Sequence, residues 1–291
     1  MRDKEGHSVH LFERDCSLQK RRQKLVEEAP ANLTAQLRKH LCRDALRIVD
    51  AVDYTGAATV EFLVDASENY FFLEVNTRIQ VEHPITEMIT GVNLIQEQIN
   101  IAFDRSISFK QEDIVIGGHA FECRINAEDP FNNFMPSLGT IEKLHFPSGH
   151  GVRIDSSVGE GDSITPFYDS MIAKLITFDC NRERALIKTL RALSETKLFG
   201  IQTSIPFLQL LLNDPDVRNG RTYTTMIDDF VGKMDSAPED ASLREEILVA
   251  ILAAAQHRQK FFNPRTAEFK ERRQISRWAI TGRAMDMRGG S

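Results

Sequence analysis

Polar and apolar side chains alternate along residues 72–84, and this alternation constrains the fold more than any other feature of the sequence. The polar positions in question are Glu74, Asn76, Arg78, Gln80 and Glu82. All have even numbers, so they would share one face if the segment were extended throughout. Side chains of these types can bind a metal ion, an anion or a proton. We therefore expect a strand running from a core into a functional site, with a half-exposed edge strand carrying ion pairs as the alternative.

A β-hairpin is predicted around the first part of this segment. Residues 57–64 are rich in β-branched and apolar residues, and residues 65–69 have the composition of a turn. Residues 70–75 then resume a strand pattern. Directly opposed residues of a hairpin share a face, so the register decides which side chains the two strands present together.

The hairpin register determines whether two carboxylates converge. Glu61 and Glu74 share a face only if they are paired, which requires an even loop such as residues 66–69. Opposed like charges are destabilising unless a cation neutralises them. Magnesium or manganese with bound phosphate suits two carboxylates and the carbonyl of Asn76. The sequence therefore predicts the even register and a metal between Glu61 and Glu74.

Four blocks of sequence carry a resemblance to a known family. They are Glu61 with Glu74-x-Asn76-x-Arg78-x-Gln80-Val81-Glu82-His83-Pro84-x-Thr86-Glu87; Glu13-Arg-Asp-Cys-Ser-Leu-Gln19 with Gln23-Lys24 and Glu27-Glu-Ala-Pro30; His119-Ala-Phe-Glu-Cys-Arg-Ile-Asn-Ala-Glu-Asp-Pro130; and Tyr168-Asp-Ser-Met-Ile-Ala-Lys174. Across residues 5–230 the chain resembles biotin carboxylase, the ATP-grasp component of biotin-dependent carboxylases. The resemblance implies an α+β fold, in which the C-terminal part of an ATP-grasp domain precedes a biotin carboxylase C-terminal α+β subdomain.

The resemblance also implies roles for individual residues. The implied metal ligands are Glu61, Glu74 and Asn76; the bicarbonate site is Arg78, Gln80 and the backbone of Val81; the nucleotide contacts are Gln19 and Lys24; and the catalytic residues are Arg78, Glu82 as the base and Arg153 as the cation that stabilises the biotin enolate. Metal ions and guanidinium groups stabilise phosphoryl transfer by position and charge. We expect Glu82 to stay ionised near neutral pH because Arg78 is expected beside it.

The implied reaction is the ATP-dependent carboxylation of biotin by bicarbonate through carboxyphosphate, with magnesium or manganese. Biotin would arrive as a substrate on a carrier protein or domain. A carboxyltransferase is the further partner, a homodimer is the expected assembly, and the cytoplasm or the mitochondrial matrix is the expected location. The formal net charge of −6 argues against a nucleic-acid partner, and no apolar run reaches the roughly 20 residues that span a membrane.

Part of the ATP site that the resemblance implies is missing from the sequence. A Gly-rich phosphate loop, two ATP-contacting lysines and an adenine-holding hinge are expected upstream of the hairpin, and none is recognisable. We expect the chain to lack the N-terminal half of that site and to hold ATP weakly. Two alternatives stay open: a non-catalytic truncated fragment that retains the fold and subunit contacts, and another bicarbonate-activating ATP-grasp ligase, such as one resembling carbamoyl phosphate synthetase.

Three regions are predicted along the chain. Residues 1–106 are the C-terminal part of the ATP-grasp domain, and residues 116–230 are the biotin carboxylase C-terminal domain. Residues 231–291 are a helical or linker tail. Within this tail, residues 241–259 place apolar side chains on one helical face and predict a packed helix.

Capping residues predict three helices. Thr34 caps the first, Pro84 lies in the first turn of a second that continues through Ile99, and Asn181 caps a third that ends at Gly200. Strands are predicted at residues 119–125, 139–145 and 151–155.

Several charged residues match the family blocks without a predicted chemical role. We expect Glu122 and Arg124 to form structural ion pairs, and His83 to pack or cap rather than bind a metal. Lys174 and Asp169 match the family without an assigned function.

Overall fold

The computed structural model describes residues 1–235, and they form a mixture of helices and strands. The first part of the chain forms β1 (Asp15–Lys20), β2 (Gln23–Ala29), α1 (Ala35–Ala51), β3 (Thr59–Val64), β4 (Tyr70–Asn76), α2 (His83–Thr90) and α3 (Leu94–Ala102). The second part forms β5 (His119–Asn126), β6 (Glu128–Asp129), β7 (Met135–Pro136), β8 (Gly139–Thr140), β9 (Lys143–His145), β10 (Val152–Ser156), β11 (Ser163–Ile164), β12 (Met171–Asp179), α4 (Arg182–Glu195), β13 (Lys197–Phe199), α5 (Ile205–Asn213), α6 (Pro215–Arg218) and α7 (Met226–Asp235). The predicted α+β class is confirmed. The helix predicted at residues 241–259 lies outside the described residues, as does most of the predicted tail.

The main sheet has five antiparallel strands in the order β1-β2-β5-β12-β10. Its strands come from both sides of the predicted boundary between residues 106 and 116. Residues Met1–Met234 form one compact unit. The division into two domains at that boundary stays a prediction.

The two faces of the sheet have different chemistry because successive side chains of a strand point to opposite faces. On one face, Phe121, Cys123 and Leu175 pack against apolar residues of α4 and α5 in the largest hydrophobic core. On the other face, Ala120 and Ile176 pack against α2. Four charged residues of β2, β5 and β12 lie on the same second face. They are Glu27, Glu122, Arg124 and Lys174, with Glu27 paired to Glu122 and Arg124 paired to Lys174.

The hairpin of β3 and β4 has the predicted register, with Glu61 paired to Glu74. The predicted even loop is wrong. Val64 pairs with Tyr70, so five residues lie between the strands, and the register then shifts between Glu61 and Phe62. The shift leaves Leu73 as an extra residue in β4. This β-bulge restores the pairing that an odd loop would otherwise shift.

The strand pattern of residues 72–84 ends earlier than the alternation suggested. β4 stops at Asn76, and the chain turns before α2 begins at His83. The irregular segment between β4 and α2 therefore contains Arg78, Gln80 and Glu82. Strand alternation does not determine the direction of their side chains.

The helix starts are predicted more accurately than the helix ends. The Thr34 and Asn181 side chains cap α1 and α4 as predicted. The single helix from Pro84 through Ile99 is wrong. α2 ends at Thr90, its C-cap Gly91 has a left-handed φ of 71°, and Asn93 caps the separate helix α3. The strand predicted at residues 139–145 is likewise divided into β8 and β9.

Gly200 does not end α4, which stops at Glu195, so the predicted role of this glycine is wrong. Gly200 follows β13 with a φ of +100°, and a Cβ atom there would lie 2.1 Å from the backbone oxygen of Thr140. Its glycine is required by the close approach of two backbones.

Gly200→Ala should therefore lower the free energy of unfolding by about 3 kcal/mol, since both the left-handed φ and the backbone clash oppose a side chain. Gly161→Ala is the matched control, because Gly161 also has a positive φ, +88°, with nothing within 4 Å of the added Cβ atom. This control should cost about 1 kcal/mol. Urea unfolding measures both, and equal losses would contradict the clash.

Candidate active site

The three predicted metal ligands lie together at the end of the β3–β4 hairpin. The Asn76 amide nitrogen donates to Glu61 Oε1 at 3.1 Å and to Glu74 Oε1 at 2.9 Å. Among the described residues no cluster of three or more His, Cys, Asp or Glu side chains forms a metal site. Two adjacent carboxylates nevertheless suit Mg²⁺ or Mn²⁺, which take oxygen ligands and complete their shell with water and substrate phosphates. The Asn76 oxygen, the amide atom that a metal would use, accepts here from Arg78.

Gln80 is buried behind this carboxylate pair, and both ends of its amide are engaged. Its nitrogen donates to Glu61 Oε1 at 2.8 Å, and its oxygen accepts from Arg14 Nη2 at 2.8 Å. Arg14 also donates to Thr86 at 2.8 Å and to Thr59 at 3.2 Å. Arg14 was not predicted as a site residue, although it belongs to one of the family blocks.

Glu82 is the N-cap of α2 and is only 2% exposed. Lys24 Nζ lies 2.5 Å from Glu82 Oε1, and Arg124 Nη2 donates to Glu82 Oε2 at 3.1 Å. The same Lys24 ammonium lies 3.3 Å from Glu61 Oε1. One lysine therefore joins the predicted base to the predicted metal ligands.

The charges around Glu82 keep it ionised. Burial alone opposes its charge, but the nearby Arg14 and Lys24, with the hydrogen bond from Lys24, outweigh burial and lower the pKa of Glu82. We expected an ionised Glu82 but attributed it to Arg78. Arg78 is instead exposed, and its guanidinium donates to Asn76 Oδ1 at 3.4 Å and to the Ile79 carbonyl at 3.1 Å.

Arg124 is part of the site and was predicted only as a structural ion-pair residue. Glu27 anchors it, because Glu27 Oε1 accepts from Arg124 Nε at 2.7 Å and from Nη2 at 2.5 Å. Nη2 then also reaches Glu82. The alternation of charged Glu122 and Arg124 with apolar neighbours in β5 was the available signal, since it places both on the charged face of the sheet.

Glu122 is fully buried, and neither of its carboxylate oxygens has a hydrogen-bond partner in the described part of the chain. Burial, reinforced by the charge of Glu27 opposite, raises the pKa of Glu122 well above 4.5. Burial likewise raises the pKa of Glu27, against the opposing effect of Arg124. This pair therefore favours the protonated form of Glu122, since two adjacent buried carboxylates cannot both ionise cheaply.

Arg153 is not brought to Glu82 by the structure. Within residues 1–235 its guanidinium bonds to Glu87 Oε2 at 2.7 Å and to the carboxylate of Asp155 at 2.8 and 2.9 Å. The hydrogen bonds with Asp155 and Glu87 raise the pKa of Arg153. Arg124, not Arg153, is the guanidinium in contact with the predicted base.

Gln19 and Lys24, the predicted nucleotide contacts, are paired across the β1–β2 hairpin. Both line a cavity of about 480 Å³ that Glu61, Arg78 and Gln80 also line. The structure thus brings Gln19 and Lys24 to the same cavity as the metal and bicarbonate candidates, although the hydrogen bonds of Lys24 go to carboxylates.

Comparison with known proteins identifies relatives of this chain. Residues 122–229 match the biotin carboxylase C-terminal domain, and residues 1–110 match the ATP-binding domain of the carbamoyl-phosphate synthase L chain. The chain is 50% identical over 230 residues to biotin carboxylase 1 of Bacillus subtilis, a match that covers 78% of this chain and 51% of the relative. It is 52% identical over 221 residues to the biotin carboxylase of Haemophilus influenzae, covering 76% and 49%.

A solved structure has the same fold. The biotin carboxylase domain dimer of Hydrogenobacter thermophilus 2-oxoglutarate carboxylase, in complex with MgADP and bicarbonate, is 44% identical with a TM-score of 0.77. That match covers 79% of this chain and 51% of the other. The chain spans about half the length of the relatives it matches.

The pKa of Glu122 predicts a dependence of stability on pH. Below pH 4.5, the ordinary pKa of a glutamate, Glu122 is protonated in both the folded and the unfolded protein. Above that pH only the unfolded protein releases the Glu122 proton freely. The free energy of unfolding therefore falls as pH rises toward the pKa of Glu122 in the folded protein. Glu122→Gln removes this loss and should raise the free energy of unfolding at pH 8 by about 1 kcal/mol or more.

Urea unfolding from pH 4 to 8 measures this effect, and the slope should flatten in the variant. Exposed Glu112 provides the control, since Glu112→Gln removes a carboxylate without changing a buried one. A loss of stability in Glu122→Gln at pH 8 would contradict the proposed protonation of Glu122.

Proposed function

Because the chain belongs to the biotin carboxylase family, we propose that it supplies the bicarbonate-activating part of an ATP-dependent biotin carboxylase. The substrates of this proposal are ATP, bicarbonate and the biotin of a carrier protein or domain. One observation carries it: Lys24 contacts both Glu61 and Glu82, so a buried ionised carboxylate lies beside the candidate metal ligands.

The proposed first step is proton removal from bicarbonate. Glu82 accepts the proton on a carboxylate oxygen while a bicarbonate oxygen attacks the terminal phosphoryl group of ATP and ADP leaves. Arg78 and the Val81 N–H bind the anion, and the exposed Arg78 fork matches the planar carbonate group. The lowered pKa of Glu82 keeps it free to accept a proton at neutral pH.

The metal site would consist of Glu61, Glu74 and Asn76. A bound Mg²⁺ or Mn²⁺ would neutralise phosphate charge and orient the terminal phosphoryl group. The protein's contribution is to hold the two carboxylates side by side through the Asn76 amide, with Glu61 further fixed by Gln80. Gln19, which shares the cavity with Lys24, is proposed to contact the nucleotide.

Carboxyphosphate formed in this way breaks down to carbon dioxide and phosphate. The phosphate accepts the proton of the ureido N–H of biotin, and the nitrogen of the resulting enolate attacks carbon dioxide. As the family resemblance implies, Arg153 is the proposed cation that stabilises the biotin enolate, and Glu87 and Asp155 hold its guanidinium. Arg124 instead contacts the base Glu82 at 3.1 Å and is held by Glu27.

Partners and location follow from the same proposal. A biotin carrier and a carboxyltransferase would supply biotin and use its carboxylated form, and the dimer of the related Hydrogenobacter thermophilus domain supports a homodimer. The cytoplasm or mitochondrial matrix is the proposed location. Among the described residues, no helix has both the length and the apolarity required to span a bilayer.

A second candidate function is that of a folded but non-catalytic fragment that retains subunit contacts. Such a fragment would bind Mn²⁺ and bicarbonate without releasing phosphate from ATP.

Phosphate release from MgATP, with and without bicarbonate and free biotin, tests the first candidate. We expect release that requires bicarbonate, and Glu82→Gln should lower it about 100-fold because the general base is lost. Exposed Glu112→Gln is the control and should match the unaltered chain. Release that is indifferent to bicarbonate would contradict the proposal.

Calorimetry with Mn²⁺ separates the two candidates. Glu61→Gln should weaken Mn²⁺ binding in either case, because the carboxylate is a proposed ligand in both. Binding of Mn²⁺ and bicarbonate without turnover would favour the fragment, and absence of both would contradict both.

A further inference from the structure

A lysine on the charged face of the sheet holds the main chain of the proposed bicarbonate site. Lys174 belongs to β12, and its ammonium donates to the Val81 carbonyl at 2.9 Å. Its side chain is only 12% exposed. Buried lysine ammonium groups need partners, and here the partner is the main chain beside the predicted base.

The peptide group before Val81 is held independently. His83 Nδ1 lies 2.7 Å from the Gln80 carbonyl, and the His83 N–H also donates to that oxygen at 3.3 Å. A carbonyl oxygen only accepts, so Nδ1 carries the proton. Burial lowers the pKa of His83, which favours this neutral form.

These two contacts fix the direction of one N–H group. A peptide unit is planar, so the chain has only two soft dihedral angles at Val81. His83 orients the peptide containing the Gln80 carbonyl and the Val81 N–H, while Lys174 orients the next one. With both planes held, the Val81 N–H has one direction.

Lys174 is itself held in place by a second pair of charges. Asp155 Oδ2 lies 3.4 Å from its ammonium, and the same carboxylate binds Arg153. Arg153 then bonds to Glu87 in α2, and Glu87 accepts from the Leu94 N–H at the start of α3. Lys174 thus contacts the segment at Val81, and Arg153 contacts it at Glu87.

We propose that Lys174 is a positioning residue that, through the Val81 carbonyl, holds the Val81 N–H toward the bound bicarbonate. This inference rests on the proposed function, because it assumes that the Val81 N–H binds that anion. Lys174 matches the family sequence, and the proposal gives it a role. Asp155 and Arg153 would then help to hold the same main-chain segment, through Lys174 and through Glu87.

The test uses the whole chain labelled with ¹⁵N and follows two readouts for the Val81 amide by NMR. The first is its hydrogen exchange without ligand, and the second is its shift during a bicarbonate titration. Lys174→Met keeps most of the aliphatic stem but loses the donor. It should speed exchange and weaken bicarbonate binding, each about tenfold, as expected for loss of one charge-assisted hydrogen bond.

Lys188 provides a matched control. Its ammonium donates to the Phe178 carbonyl at 2.7 Å and pairs with Asp179 at 2.8 Å, and its side chain is 14% exposed. Lys188→Met removes the same kind of contact far along the chain from Val81. It should leave both readouts unchanged, whereas Lys174→Arg, which keeps a cationic donor, should restore part of the binding.

The outcomes separate this inference from the proposed function. If the unaltered chain shows no response to bicarbonate, the proposed function fails, while the exchange rates still test the contact between Lys174 and Val81. If it responds and Lys174→Met binds equally well, the positioning role is overturned. Asp155→Asn serves if Lys174→Met does not fold: it keeps the ammonium but loosens it, and unchanged binding in that variant would also overturn the inference.

Discussion

The site depends on a sheet that packs the largest hydrophobic core on one face and carries a cluster of charged residues on the other. Because neighbouring side chains of a strand point to opposite faces, the core residues Cys123 and Leu175 fix where Arg124 and Lys174 must point. A shift of one residue in either strand would place a cation in the core. The hydrophobic core therefore sets the position of the charged groups as firmly as their own ion pairs do.

Charge balance then explains how several ionised groups are kept out of water. Glu82 and Glu27 share Arg124, and Glu82 and Glu61 share Lys24. Each shared cation offsets the desolvation of more than one carboxylate. Removing one partner from such a network usually destabilises more than the network contributes, because a buried charge is left alone. A substitution that removes one of these charges therefore changes the stability of the protein as well as the site.

Sequence reasoning predicted local features well and long-range ones poorly. The Glu61–Glu74 pairing and the Thr34 cap follow from a few neighbouring residues, and both are confirmed. The bulge at Leu73 was not foreseen, since an odd loop with a compensating extra residue gives the same pairing as an even loop. The contact of Arg124 with Glu82 joins residues far apart in the chain, so no local pattern predicted it.

The strand order also bears on how the chain folds as it is synthesised. Besides its hairpin partner β1, β2 pairs in the main sheet with β5, which begins about 90 residues after β2 ends at Ala29. At a synthesis rate of about 5 to 20 residues per second, the edge of β2 stays unpaired for about 5 to 20 s before β5 is synthesised. During that time Glu27 has neither Arg124 nor the rest of the sheet beside it. The ionised, solvated carboxylate at this edge opposes pairing with another chain until the correct strand arrives.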